Sequence, residues 1–414
     1  MKSVAIIGGG VIGLCTAYFL QKEGHEVTLI DQSAMDFGAS YVNAGYVSPS
    51  HIIPLAAPGV VKQGLRWMFN TSSPLYIKPR LEKSFMDWAW AFNKSCSHSN
   101  VERSVKAIKQ ITLLSSRLFS EIRASEGFTF QLENKGLLML CKTYAMLEKE
   151  LKLVKTASEE GLEARSISLQ ELKAMEPNVN MDIVGATHYQ CDWHTTPQEF
   201  MTELKHYLTL NNVQFLKQER VLDLHTQGNS IISLRTDQRT LVADEFVLAA
   251  GSWSQLLSKK LGIKIPLQAG KGYRINSYQP TGITIPSILA EAKVAITPMN
   301  GFTRYAGTME IAGINHTIRP ERVAAIASAV STYYPNVKVP ISEQKEAACG
   351  LRPVSPDGRP YIGKSHKCRN LTIATGHAMM GWSMAPATGK LVAEMLSEKP
   401  LSIPLDAFHP DRKF

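Results

Sequence analysis

Residues 3–7 (SVAII) form a short apolar run rich in β-formers, which predicts a strand buried on both faces. After the turn GGGVIG, residues 12–23 carry helical periodicity, Gly24 ends the helix, and residues 26–30 (EVTLI) predict a second strand closing on Asp31. Further along, Val105, Ile108, Ile111, Leu114, Leu118 and Ile122 recur at helical spacing and predict a helix over 101–127. Similar patterns predict helices over 145–160, 168–176, 197–210, 321–334 and 386–396. Strands are expected at 136–141, 213–215, 220–224, 231–236, 241–242, 244–250 and 371–375. Residues 270–276, 292–298 and 301–306 alternate like a sheet with one wet face. Residues 52–90 contain Pro54, Pro58, Pro74 and Pro79 among six aromatic residues, and read as short helical pieces broken by prolines.

The strands of the opening unit's type are dispersed over the N-terminus, the region near 213–251 and the C-terminus. The predicted fold class is therefore α/β. A Rossmann-like cofactor domain, residues 1–50, 180–255 and 345–414, is interleaved with a mainly antiparallel substrate domain and helical cap, residues 51–179 and 256–344.

The first 31 residues also carry chemistry. Gly8, Gly10 and Gly13 stand in G-x-G-x-x-G spacing between strand and helix. Gly8 permits the tight turn, Gly10 lets a pyrophosphate approach, and Gly13 lets helix pack on strand. The helix start offers free N–H groups to that pyrophosphate, and Asp31 can accept from ribose hydroxyls. The implied ligand is a dinucleotide.

Composition narrows the class. The chain has 414 residues, 44% hydrophobic and 20% charged, which is ordinary for a globular protein. No apolar run reaches transmembrane length, and the glycine turn argues against reading the N-terminus as a cleaved signal. A net charge of +9 is spread without a dense Lys/Arg run, so nucleic acid is not expected as a partner. Anionic lipid or an anionic substrate suits that charge better. The six cysteines form no C-x-x-C pair, so neither a zinc site nor a disulfide framework is indicated, and a reducing cytoplasmic location is expected. No metal cluster and no Ser/His/Asp set at hydrolase spacing stands out.

Four segments spread from end to end carry a resemblance: GGGVIG with Asp31, NAGYVSPSHIIPLAAPGVVKQGLRWMF from Asn43, GLRPVSPDGRPYIG from Gly350, and TGHAMMGWSMAPATG from Thr375. The chain resembles the glycine/D-amino-acid oxidase family of FAD enzymes, in its D-amino-acid dehydrogenase branch. The resemblance implies FAD at Gly8, Gly10, Val11, Ile12, Gly13, Asp31 and Gln32. It places Asn43, Ala44, Gly45, Val47 and Ser48 beside the isoalloxazine and pyrophosphate. Small residues at 43–45 let a backbone lie against a flat ring. It gives Val221 the backbone contact to adenine, and puts Ala250, Gly251 and Trp253 along the cofactor. Gly376, His377, Gly381, Trp382, Ser383 and Met384 are placed at the pyrimidine edge, where a helix N-terminus stabilises negative charge on reduced flavin. Gly350 and Arg352 share one motif. Arg352 is implied to hold the substrate carboxylate by paired bonds, with Tyr273 near the substrate. His51 and His194 have no assigned role. Cys349 is expected to be a packed neutral thiol rather than a covalent flavin link.

The reaction so implied is oxidative deamination of a D-amino acid by hydride transfer to flavin N5, with electrons passed to a quinone or other respiratory acceptor. A cyclic amine such as D-proline or hydroxy-D-proline, a glycine or sarcosine substrate with oxygen as acceptor, and a flavoprotein subunit without turnover stay open. Within 55–90, Leu65, Trp67, Met68, Phe69, Leu75 and Tyr76 stand beside Lys62, Arg66, Lys78 and Arg80. That mixture suits either a cap over the site or a peripheral contact with lipid headgroups at the cytoplasmic face of the inner membrane.

Overall fold

The computed structural model describes residues 1–61, 74–125 and 127–414. Lys62, Leu65, Arg66, Trp67, Met68 and Phe69 lie outside the described residues. Ser3–Ile7 is a central strand of a six-stranded sheet, in the order Gln214–Lys217, Glu26–Asp31, Ser3–Ile7, Glu245–Leu248, Cys368–Thr375, Tyr361–Ser365. The first five are parallel and the last is antiparallel. Ile7 lies opposite both Ile30 and Leu248, so strands far apart in sequence end together where the glycine turn begins. The helix Val11–Lys22 leaves that turn. It packs against the C-terminal helix Gly381–Leu396 so closely that a Cβ at Gly389 would strike the Cys15 carbonyl.

The second sheet has nine described strands. Ala348–Val354 is its edge, followed by Gln268–Ser277, Phe302–Ile311, Val294–Met299, Ser287–Leu289, Leu137–Cys141, Gly185–Tyr189 and Ala164–Ile167. Leu75–Ile77 pairs alongside Phe302–Ile311. Most pairs are antiparallel, as the alternating segments suggested. Helix Pro320–Tyr333 covers one face, where Ile326, Val330 and Tyr334 pack with Ile275 and Tyr305. The core beside the six-stranded sheet contains Phe119, Phe130, Phe200 and Trp382, whose rings pack 4.8–6.3 Å apart.

Several strands go beyond the sequence reading, and three of them bear on the domain borders and the C-terminal motif. Gly185–Tyr189 and Ala348–Val354 belong to the large sheet, so its borders run inside the segments 180–255 and 345–414. The third is Tyr361–Ser365. Pro353 disguises Ala348–Val354 as a turn, but an edge strand is where a missing N–H is tolerated. The C-terminal helix also starts earlier than 386, at Gly381, with Pro386 inside it. Beyond the last proline of 52–90, Pro79, Lys83–Ser95 is one helix of 13 residues.

Candidate active site

The glycine turn is cut to shape by its neighbours. Gly8 has φ +116°, and a Cβ there would run into the Ala249 carbonyl and Ala250. A Cβ at Gly13 would strike the Gly8 carbonyl, whereas at Gly10 it would meet only Ser40 Oγ, at 3.3 Å. Gly10 begins the helix without a side-chain cap, leaving an open N-terminus of the kind that binds phosphate. Val11 N–H donates to Ser40 Oγ at 3.0 Å, and Ile12 follows in the same first turn. Asp31 closes the turn from the neighbouring strand. Its Oδ2 accepts from Gly9 N–H at 2.7 Å, and its Oδ1 accepts from Ser33 N–H at 2.8 Å. Gln32, beside it, is exposed. Glu219 N–H donates to the Asp31 carbonyl at 2.9 Å, which brings the start of strand Val221–Gln227 to this corner.

Residues 43–48 run from here to the C-terminal helix. Gly45 N–H donates to Asn43 Oδ1 at 2.7 Å, and Thr297 donates to the Ala44 carbonyl at 2.7 Å. Gly45 has φ +77°, and a Cβ would collide with the Thr195 carbonyl. Val47 is fully buried. Ser48 N–H donates to Ser383 Oγ at 3.2 Å, and Ser383 donates to the Tyr46 carbonyl at 2.8 Å. Trp382 Nε1 donates to Thr195 Oγ1 at 2.9 Å. Met384 N–H closes on the Met380 carbonyl at 3.0 Å, so it is not among the open donors the sequence reading assigned to 381–384. Those are the earlier N–H groups of the helix, from Gly381 on, which have no acceptor within the helix. His377 is buried, its Nε2 is 2.9 Å from Thr388 Oγ1, and burial pulls its pKa down to about 3. It is therefore neutral at pH 7 and supports the turn at Gly376, where φ is +79°.

The loop after Ala250 joins the two sheets. Ser252 donates to the Leu351 carbonyl at 3.1 Å, and Thr375 donates to the Gly251 carbonyl at 3.1 Å. Trp253 stacks on His316 at 6.1 Å. Gly350 lies flush against Ala39 and Val42, with no room for a Cβ. The structure thus brings residues 43–48 and the other three motif segments to one region.

Arg352 sits on the face of the large sheet that looks toward residues 39–43. Opposite it are Gly270 and Gly272, and a Cβ at Gly272 would overlap the guanidinium. Nη1 donates to the Thr308 carbonyl at 2.8 Å, at a bulge where Thr308 has φ +63°. Among the described residues no carboxylate lies within ion-pair distance of Arg352. Its burial against protein atoms, at a half-open position, lowers its pKa to about 10, so it stays charged at neutral pH.

Tyr273 is elsewhere. It pairs with Cys349 on the opposite face, 1% exposed, and donates to Glu310 Oε2 at 2.9 Å. Burial, and then Glu310, raise its pKa. The structure does not bring Tyr273 to Arg352, because neighbours along a strand point to opposite faces. Cys349 shares the Tyr273 face, with Sγ 3.4 Å from the His316 carbonyl, away from residues 39–43. Burial raises its pKa.

One residue of the site escaped the sequence reading. Arg304 is fully buried and donates to the carbonyls of Tyr41, at 2.9 Å, and Asn43, at 2.6 Å, and to Asn276 Oδ1, at 3.0 Å. It ties the large sheet to the loop that precedes Gly45, and burial brings its pKa to about 9. The signal was an arginine two residues into a mostly buried strand.

FAD fits these residues. A Cβ at Gly10 would meet only Ser40 Oγ, Gly10 has no side chain to cap the helix it begins, and among the described residues the buried Ser48 hydroxyl has no hydrogen-bond partner. A six-stranded mostly parallel sheet with this turn, facing a large antiparallel sheet, defines a dinucleotide-binding oxidoreductase. The family model "FAD dependent oxidoreductase" (DAO) matches residues 3–395, and the chain belongs to that family. The chain is 32% identical to a D-amino acid dehydrogenase of Vibrio vulnificus, over 98% of this chain and 99% of that one. It is 31% identical to another from Granulibacter bethesdensis, over 96% of each. In fold it matches glycine oxidase of Geobacillus kaustophilus with TM-score 0.78 at 21% identity, over 100% and 99% of the chains. It also matches L-proline dehydrogenase of P. horikoshii with TM-score 0.75 at 18% identity, over 99% and 96%.

Proposed function

We propose that this chain oxidises D-amino acids to 2-oxo acids and ammonia, using FAD, and passes the electrons to a quinone or similar respiratory acceptor. Arg352 carries the substrate half of this reading. It is a charged guanidinium on the cofactor side of the large sheet, with a carbonyl partner and no carboxylate partner among the described residues. A substrate α-carboxylate matches that fork with two parallel bonds. FAD, when bound, supplies the acceptor for the hydride that leaves the substrate Cα.

The chain's contribution is positioning. Arg352 fixes the carboxylate, and with it the position of Cα. The glycines at 270 and 272 keep the guanidinium free to lie along the sheet. Arg304 holds residues 41–43 from below. The amine reacts in its neutral form, whose lone pair assists departure of the hydride, and the imino acid released is hydrolysed in water. The D configuration and an acceptor other than oxygen draw support from the names of the curated relatives.

An anaerobic bleaching screen tests this reading. D-amino acids are expected to bleach the yellow protein and L-enantiomers to leave it yellow. Fastest bleaching by D-proline or hydroxy-D-proline would move the substrate to cyclic amines. Fastest bleaching by glycine or sarcosine would move it to the oxidase type. No bleaching by any amine would leave a flavoprotein without turnover. Equal turnover with oxygen and with a quinone analogue overturns the acceptor half.

A location at the cytoplasmic face of the inner membrane belongs to the same proposal. No helix among the described residues is long and apolar enough to cross a membrane. Leu81, Met86 and Trp90 are exposed near Lys83 and Lys94, a pattern suited to a headgroup interface. Flotation with anionic liposomes tests it, and a protein that stays at the bottom in low salt is not peripheral.

A further inference from the structure

At Asp357 and Arg359, in the second half of the motif GLRPVSPDGRP, a small cleft gathers cations. Arg359 and Lys413 line it together with Lys94 and Arg103, at the start of helix His98–Ala124. Asp357, which also borders the cleft, is already engaged. Arg412 Nη2 donates to its Oδ1 at 2.9 Å and Arg412 Nε to its Oδ2 at 2.8 Å, while Arg359 Nη2 lies 2.8 Å from Oδ2. One carboxylate thus answers two guanidiniums. Among the described residues, no carboxylate lies within 4 Å of Lys94, Arg103 or Lys413.

Two independent observations point the cleft at an anion. The 27-residue helix begins there, with Ser97 as its cap and Asn100 in its first turn, so the positive end of its dipole adds to the cations. Arg359 is 6% exposed; its Nη2 is held by Asp357 and Asn100, and among the described residues its Nε has no hydrogen-bond partner. Burial lowers the Arg359 pKa, and Arg412 and Arg103 push the same way against Asp357. Like charges converging on one point repel, and an oxyanion among them removes that repulsion. The cleft is small and open to solvent at one side, too small for a nucleotide.

We infer that this cleft binds a phosphate group. The inference goes beyond amine oxidation and does not rest on it. The phosphate has two possible sources, free phosphate or the headgroup of an anionic lipid. Trp90 and Met86, 64% and 55% exposed, lie one turn apart on the helix that carries Lys94. Lys94 Nζ stands 4.3 Å over the Trp90 ring, so a lipid phosphate in the cleft would bring both side chains to the acyl boundary.

The test uses the yellow holoenzyme and a variant carrying Arg103→Glu and Lys413→Glu. Equilibrium dialysis measures inorganic phosphate, and sedimentation measures binding to phosphatidylcholine vesicles with and without phosphatidylglycerol. Saturable binding of one phosphate, weakened at least tenfold in the variant, is the expected result. Phosphatidylglycerol vesicles that bind the protein and release the phosphate identify the headgroup as the source. Vesicles that leave the phosphate in place identify free phosphate. Thermal unfolding and flavin bleaching by amine are expected to be unchanged in the variant, which separates this site from the amine site. Absence of saturable phosphate binding, or equal binding by wild type and variant, overturns the inference.

Discussion

The two faces of the strand Gln268–Ser277 use charge in opposite ways. On one face, Lys271 and Tyr273 meet Glu310, which also has Arg319 and Arg322 nearby. Lys271, Glu310 and Arg322 are each 1% exposed. Lys271 Nζ also donates to Asn315 Oδ1 at 2.6 Å and to the Thr317 carbonyl at 2.7 Å. On the other face, Gly270 and Gly272 clear a path for Arg352, which has a carbonyl and no acid among the described residues. Buried charges need partners. Cations that meet an internal carboxylate belong to the architecture, and Arg352, with one carbonyl and no acid among the described residues, is the cation that the proposed function gives to an anion from outside. Two positions one residue apart, Gly272 and Tyr273, therefore serve different ends.

The comparison breaks most decisively at Arg352. Arg352→Leu is expected to leave the protein yellow and folded while kcat/KM for the amine falls roughly 10²–10³-fold, since truncating one partner of a buried charge pair costs about 3–5 kcal/mol. Steady-state dye reduction measures it, and a fall of less than about tenfold removes Arg352 as the carboxylate anchor. Glu310→Gln attacks the other face. It leaves Lys271 and Arg322 buried without their carboxylate, so a stability loss of about 3–5 kcal/mol is expected. Thermal or denaturant unfolding reads this, and an unchanged midpoint would mean that the network on that face is not structural.

Arg304 lies between these extremes. It is buried like the Glu310 network but satisfied by carbonyls of residues 41 and 43 rather than by an acid. Arg304→Met keeps the volume and removes both bonds to the loop. Hydrogen bonds to charged groups are worth about 1.5–3 kcal/mol, so FAD is expected to bind at least tenfold more weakly, read as flavin fluorescence released on dilution. Retention of FAD at wild-type affinity would show that the loop holds its shape without this arginine.

How much of this was legible in the sequence follows from the range of each interaction. The turn from Gly8 to Gly13 and the acid at Asp31 are local, and strand, turn, helix and strand stand in 31 consecutive residues. The site at Arg352 was legible as a motif but not as geometry. Its strand pairs with one some 80 residues earlier, in a register of Gly270 to Arg352 that no local pattern encodes. That register decides which face Arg352 shares, and it puts Tyr273, which the resemblance placed near the substrate, on the other one. Arg304 was hidden for a related reason. Residues 301–306 alternate as a half-wet strand does, but strand Phe302–Ile311 is buried on both faces, so the alternation gave no sign that Arg304 would be enclosed.

The smallest effect is the sharpest test of the two-face division. Tyr273→Phe deletes one hydroxyl and keeps the ring. If Tyr273 belongs to the structural face, the loss is its bond to Glu310, about 0.5–1.5 kcal/mol for a typical hydrogen bond and up to about 3 kcal/mol for one to a charged group. The carboxylate keeps Lys271 at 3.4 Å, so the low end of that range is expected. The unfolding midpoint should fall slightly, and kcat and KM for the preferred amine should both stay within about twofold of wild type. A substrate-contacting hydroxyl behaves otherwise, because its removal raises KM or lowers kcat without that small stability change. A tenfold or larger drop in kcat/KM in Tyr273→Phe, with an unmoved midpoint, would bring Tyr273 back beside the substrate and undo the separation of the two faces.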